Sequence, residues 1–175
     1  MHHIIRKKIV YSNRWLKIKS KKINFSYKDI GNYYSVHQKD YVYVLLKTSK
    51  SLFPMVKQFR HAINKYTLEF PSGCLEKKET PNICAKKEVL EETGHKIDFL
   101  KKIGTVYPDS GRLANKVHMY FATSKANKIK EIHKKEGIKV YYFSKNQIIN
   151  LIKKNKILHQ PHIGLFYTAI IKKLI

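Results

Sequence analysis

With 175 residues and a formal net charge of +24 from 36 basic and 12 acidic side chains, the chain is long enough for one domain and too short for two of ordinary size. Its 43% hydrophobic and 12% aromatic content excludes wholesale disorder. Of the basic residues 32 are Lys and only four are Arg (Arg6, Arg14, Arg60, Arg112), beside 21 Ile, 12 Tyr and 10 Asn, the bias that AT-rich codons impose. Arg is the residue that reads guanine edges bidentately, so its scarcity disfavours sequence-specific DNA recognition. Cys74 and Cys84 show neither CxxC nor His-partner spacing, which argues against a zinc site or a disulfide framework. The N-terminal MHHIIRKKIVYSNRW has no long apolar run, and the apolar tail from Ile157 to Ile175 is broken by His159, His162, Lys172 and Lys173. The expectation is a cytoplasmic protein with no membrane partner.

In chain order, residues 1–40 alternate apolar and basic positions around turn signals at Ser12-Asn13 and Gly31-Asn32, the pattern of strands in an N-terminal β arm. Tyr41 to Lys47 is a nearly continuous β-branched and aromatic run, so it predicts a strand covered on both faces. Strands follow over Pro54–Phe59 and Tyr66–Phe70, the latter stopped by Pro71-Ser72-Gly73. The period then changes: Thr80 as cap, Pro81 in the first turn and Gly94 as a left-handed terminator predict a helix over 81–93. Further strands are expected over 101–106, 117–122 and 139–143, then helices over 146–153 and 161–174, with 124–137 an exposed loop. This order predicts an α/β (α+β) architecture, a mixed sheet sandwiched between helices, with 1–40 as an arm and 41–175 as the main domain.

Half of the acidic residues, Glu69, Glu76, Glu79, Glu88, Glu91 and Glu92, fall between positions 69 and 92 of a chain that is otherwise strongly basic. Glu88, Glu91 and Glu92 stand at i, i+3 and i+4, so a helix places them on one arc of about 100°. There they repel one another, towards the end where the helix dipole is also unfavourable. A solvated face with Lys86 and Lys87 as partners is one resolution. A hard divalent cation held by oxygen ligands is the other.

Gly73, five residues, Glu79, seven residues, then Lys87-Glu88-Val89-Leu90-Glu91-Glu92-Thr93-Gly94 closely resembles the Nudix hydrolase signature GX5EX7REUXEEXGU, with U a bulky aliphatic. Two positions depart from it: the family Arg is Lys87, and the final aliphatic is His95, which weakens a packing position. Val56-Lys57-Gln58-Phe59-Arg60 and Thr67-Leu68-Glu69-Phe70-Pro71-Ser72-Gly73 are similar to the VxQxR and LExPxG run of the ADP-sugar (ADP-ribose) pyrophosphatase branch. Glu136-Gly137-Ile138-Lys139-Val140-Tyr141 is similar to the acidic loop and strand that close the site there.

The resemblance implies the Nudix fold and Mg²⁺-dependent cleavage of a pyrophosphate bond in a nucleoside diphosphate sugar, with Mn²⁺ as the alternative ion. It makes Glu88, Glu92 and Glu91 metal ligands, aided by the Ser72 carbonyl and by Glu136, which acts as ligand or general base. Gly73 supports this cluster, Glu79 either supports it or holds Lys87, and Lys87 takes the role of the family Arg. Arg60 becomes the pyrophosphate clamp, since a guanidinium presents parallel donors to phosphate oxygens. Glu69 contacts ribose or base, or instead serves as a buried carboxylate holding local donors. Arg112, in the turn Pro108-Asp109-Ser110-Gly111-Arg112, is a second anion-binding candidate. Trp15, Phe25 and Tyr27 offer stacking surface for a base, although aromatics at strand spacing are more often core. The resembled branch forms homodimers through exchanged N-terminal strands, which would give 1–40 a purpose. Two other readings remain open: the same fold acting on RNA 5′ ends or dinucleoside polyphosphates, for which the charge would serve, and a non-catalytic nucleotide- or RNA-binding module.

Overall fold

The computed structural model describes residues 3–26, 29–125 and 139–175, and it divides into two compact units. The first comprises Met1–Asp40 with Tyr107–Lys116; the second comprises Tyr41–Val106 with Val117–Ile175.

Strands β1 (His3–Ser12), β2 (Lys17–Ser26) and β3 (Asp29–His37) of the first unit form an antiparallel sheet in the order β1-β2-β3. Asn13 shapes the first connection: its Oδ1 accepts from the backbone N–H of Trp15 at 2.8 Å and of Leu16 at 2.9 Å. Val36 bridges Leu113 in parallel, with the Val36 N–H donating to the Arg112 carbonyl and the Ala114 N–H to the Val36 carbonyl. These bonds bring 107–116 into the same unit. Every residue of β1 is exposed. Trp15 is 67% and Phe25 39% exposed, so the expectation that these aromatics are core fails for both. A three-stranded sheet has two faces, and neither side chain lies under a second layer. Tyr27 lies outside the described residues.

The second unit holds β4 (Tyr41–Thr48), β5 (Phe53–Arg60), β6 (Lys65–Glu69), β7 (Ser72–Cys74), α1 (Pro81–Thr93), β8 (Phe99–Val106), β9 (Val117–Ser124), β10 (Lys139–Phe143), α2 (Lys145–Lys153) and α3 (Gln160–Ile171). One sheet runs β7-β4-β9-β8 with β4 and β9 parallel, and the other runs β10-β5-β6, antiparallel throughout. Period-two alternation along β4 explains the layering. Val42, Val44 and Leu46 pack against Cys84, Ala85 and Val89 of α1. Tyr43 and Leu45 point the other way, into a cluster with Leu165, Phe166 and Ala169 of α3 and Phe53 and Met55 of β5. The mixed sheet is therefore sandwiched between helices, as its continuous apolar strand requires.

Helix α1 has the expected limits. The Thr80 side chain accepts from the Ile83 N–H, Pro81 occupies the first turn, and Gly94 at φ 71° donates its N–H to the Leu90 carbonyl. Most boundaries fall within two residues of expectation, and two differences are larger. β6 does stop before Pro71, but Ser72–Cys74 then forms a strand of its own: Tyr43 pairs with Ser72, Val42 with Gly73 and Tyr41 with Cys74, and three small residues carry no periodicity to announce it. Helix α3 ends at Ile171 instead of 174, where Lys172 caps it and Lys173 turns left-handed at φ 54° without a glycine to signal the stop. Among the described residues no helix is long and apolar enough to cross a membrane.

Candidate active site

Helix α1 lies against β7, and the contact is made by carboxylates. Glu88 and Glu92, one turn apart, are each 8% exposed, whereas Glu91 on the neighbouring arc is exposed. Glu92 Oε2 accepts the Ser72 backbone N–H at 3.0 Å. Gly73 makes room for Glu88: a Cβ at position 73 would lie 2.1 Å from Glu88 Cδ and 2.2 Å from Oε1. The glycine is thus required by close approach of a carboxylate to the backbone. Lys87 Nζ sits 2.8 Å from Glu79 Oε1 and 3.8 Å from Glu88 Oε1, while Glu79 Oε2 accepts the Glu76 N–H at 2.9 Å. That backbone bond, followed by the Lys87 contact, lowers the Glu79 pKa from its ordinary value. Of the two roles expected for Glu79, holding Lys87 is the one the geometry displays. The structure therefore gathers Ser72, Gly73, Glu79, Lys87, Glu88 and Glu92 at one strand–helix contact.

Two buried carboxylates one helical turn apart, set over a glycine, form an all-oxygen donor set that suits a hard divalent cation. Lys87 reaches Glu88 at 3.8 Å, beyond hydrogen-bond length, because its contact at 2.8 Å goes to Glu79.

A second polar group is built around Glu69, which is 1% exposed at the end of β6. Arg60 grips it bidentately, Nε to Oε1 at 2.8 Å and Nη2 to Oε2 at 2.5 Å. Thr67 Oγ1 also donates to Oε1, Gln58 Nε2 donates to Oε2 at 3.3 Å, and His162 Nε2 lies 3.2 Å from Oε2. Five donors on a group with about four lone-pair sites saturate it. Burial alone would raise the Glu69 pKa, but hydrogen bonds from Arg60, His162 and Thr67 hold it far below the usual carboxylate range. Of the two roles expected for Glu69, the buried anchor matches this geometry. The Arg60 side chain remains 44% exposed. Its hydrogen bond to Glu69 raises its pKa, and the charges of Glu69 and Glu92 act in the same direction.

His159 and His162 belong to this group, a convergence that their place in the apolar tail does not announce. One donor atom each from Glu69, His159 and His162 lies within 4.8 Å of the others. The spacing i, i+3 was the available signal, but His159 precedes α3 as its cap, and nothing in sequence points either ring at Glu69. Arg60 already neutralises this carboxylate, so the trio is a hydrogen-bonded network in which a further cation would meet a guanidinium. Burial pushes the His159 pKa down to about 4 and lowers that of His162 as well. His95 also does more than weaken packing. It is buried, and its Nε2 lies 3.0 Å from the Tyr142 hydroxyl, joining the end of α1 to β10.

Trp15 and Arg112 belong to the first unit. Arg14 stacks 4.6 Å over the Trp15 ring, and the 81% exposed Arg112 side chain pairs with Asp109 at 2.8 Å. The 107–116 turn and β3 form a pocket of about 340 Å³ lined by Lys21, Tyr33, Ser35, Tyr107 and Arg112, among others. Glu136 and Gly137 lie outside the described residues.

Comparison with known proteins follows the same lines. Residues 36–163 match the model of the NUDIX domain. An ADP-ribose pyrophosphatase of Bacillus subtilis (strain 168) is 31% identical over 118 residues, 66% of this chain and 64% of that protein, so the chain spans somewhat under two thirds of this relative's length. A methanol dehydrogenase activator of Bacillus methanolicus is 24% identical over 155 residues, covering 87% of this chain and 84% of its own. A mouse ADP-sugar pyrophosphatase is 42% identical over a shorter stretch of 57 residues, 33% of this chain and 26% of that protein. A crystal structure of an ADP compounds hydrolase superposes with a TM-score of 0.82 over 96% of this chain and 91% of that one, at 14% identity, a likeness of fold.

Proposed function

The chain belongs to the NUDIX domain family, and on that premise we propose that it is a divalent-metal-dependent hydrolase of the pyrophosphate bond in nucleoside diphosphate sugars. ADP-ribose, cleaved by water to AMP and ribose 5-phosphate, is the first substrate to test. The observation that carries this reading is the seating of Glu88 and Glu92 over Gly73, with the part-exposed Arg60 within electrostatic range of Glu92. The relatives named for ADP-ribose and ADP-sugar pyrophosphatase activity support the substrate class.

In this reading Glu88 and Glu92 hold Mg²⁺, or Mn²⁺ in its place, with Glu91, Glu136 and the Ser72 carbonyl completing the ligands. A divalent ion held there would supply charge neutralisation for the phosphate and activation of water. Lys87, tethered by Glu79, balances Glu88 as a point charge without the planar fork of an Arg. Arg60 offers the guanidinium hydrogens not used by Glu69 to a phosphate oxygen. Glu136 stays a candidate ligand or base. Trp15 and Arg112 stay candidates for the base and distal phosphate, and 1–40 for an arm pairing two copies in a homodimer. A cytoplasmic setting accords with two free thiols.

The test is hydrolysis of ADP-ribose, ADP-glucose, GDP-mannose, a diadenosine polyphosphate and triphosphorylated RNA at about 5 mM Mg²⁺, an excess over a weakly held, partly hydrated ion. Preferential cleavage of one ADP-sugar, abolished by EDTA, is expected. Cleavage of RNA ends alone would replace this substrate class, and no turnover of any member would leave a nucleotide-binding module.

A further inference from the structure

The polar group around Glu69 contains a tie that the hydrolase reading does not use. Gln58, Arg60, Thr67 and Glu69 all belong to the β5–β6 hairpin, whereas His162 reaches Glu69 from the first turn of α3. We propose that His162 is a positioning residue for Arg60, acting through Glu69, and that it thereby sets the affinity for the diphosphate of the substrate. The proposal rests on the hydrolase reading for its substrate and on geometry alone for the positioning.

Arg60 is a long, half-open side chain at the end of a strand, and freezing such a chain costs rotamer entropy. The bidentate grip of Glu69 removes that freedom before any ligand arrives, provided Glu69 is itself immobile. Within the hairpin Glu69 would still move with its own strands. His162 prevents this because it is fully buried and its ring lies flat on Tyr43 of β4, centroids 4.3 Å apart and planes 9° apart.

The ring nitrogens fix its tautomer. Glu69 is ionised, so the nitrogen facing it carries the hydrogen, and Nε2–H donates at 3.2 Å. Nδ1 is then an acceptor, and among the described residues it is buried without a partner. A proton there would be a bare buried donor, in keeping with the lowered pKa that burial gives this ring. The groups facing His162 are Tyr43 from β4, Arg60 from β5, Glu69 from β6, Phe70 beside it and His159 at the helix cap. His162 is thus a neutral donor aimed at the carboxylate that holds Arg60.

The test compares His162→Leu, which removes the donor, with His162→Gln, whose amide N–H can reach the place of Nε2–H. The first readout is the Arg60 Nε–H resonance in ¹H–¹⁵N spectra, which needs no turnover. The second is the dissociation constant for inorganic pyrophosphate, and the third the KM and kcat for ADP-ribose. His162→Leu should make the Arg60 Nε–H exchange-broadened, weaken pyrophosphate binding and raise KM about tenfold, with kcat within about twofold, the signature of lost uniform binding. His162→Gln should restore all three. A folded His162→Leu protein with unchanged Arg60 resonance and KM overturns the proposal, as does a Gln variant impaired as much as Leu, which would make the role one of packing. If the wild type cleaves no nucleotide sugar, the hydrolase reading fails while the resonance and pyrophosphate titration still decide the positioning claim.

Discussion

β1, with five apolar residues in ten, and β4, with six in eight, meet opposite fates. In β1, Ile4, Ile5, Ile9, Val10 and Tyr11 are between 43% and 55% exposed, whereas Val42, Val44, Leu45 and Leu46 of β4 are at 0%. β4 lies inside a mixed sheet with α1 on one face and α3 on the other, while β1 is the edge of a three-stranded sheet. Apolar pattern dictates local conformation, but coverage depends on what the topology stacks above each face. If the homodimer proposed above forms, a second copy would be the occupant of this exposed apolar surface.

The sharpest way to break the comparison lies at the α1–β7 contact of the covered unit, where there is no slack. Gly73→Ala should displace the Glu88 carboxylate and reduce turnover about 10²-fold, the scale of a misplacement near 1 Å. Glu92→Gln should cost about as much with the fold intact, and unchanged turnover in either would remove that residue from the site.

Urea denaturation tests the two strands directly. Val44→Ala should cost about 2 kcal/mol, while Ile9→Ala should stay within about 0.5 kcal/mol at low protein concentration. If Ile9→Ala becomes costly as concentration rises, with sedimentation showing two copies, the arm is covered by a partner. Equal costs at all concentrations would mean that β1 is as covered as β4.

Acid should act first on the covered unit. His159, held at about 4, and His162, lowered likewise by burial first, stay neutral in the native state, whereas an unfolded histidine takes up its proton near pH 6.5. Between about pH 6.5 and 4 the unfolded chain therefore binds more protons, and stability falls as pH falls. Glu69, held far below 4.5, adds a further loss at lower pH. His159→Gln should flatten the dependence of Tm between pH 6.5 and 4, and an unchanged slope would contradict the assignment. The smallest effect is expected for Lys87→Arg, which should maintain or modestly raise kcat because Glu79 is already placed to receive the fork. A large loss would mean that Lys87 does not fill the family Arg position.

Much of this was legible in sequence wherever a local rule applied. Thr80, Pro81 and Gly94 delimit α1 because caps are chemistry within a few residues. The spacing from Gly73 to Gly94 locates the carboxylate row for the same reason. What stayed hidden depends on contacts between distant segments: His162 meets Glu69 across 93 positions, and β7 owes its pairing to β4 rather than to any pattern of its own. The exposure of Trp15 was hidden likewise, since residue type says nothing about whether a second layer exists.

The parallel pairing of β4 with β9 also governs how the protein is made. Tyr41 pairs with Val117 across β5 to β8 and α1, so the floor on which α1 rests closes only after a long stretch of chain has been gathered. During synthesis α1 leaves the ribosome well before β9, carrying three carboxylates with no finished sheet beneath them. Non-local parallel contacts are slow to form, and folding of the second unit should wait on β9. A chain truncated before Val117 would therefore expose Val42, Val44 and Leu46, and such nascent lengths are where a chaperone would be needed most.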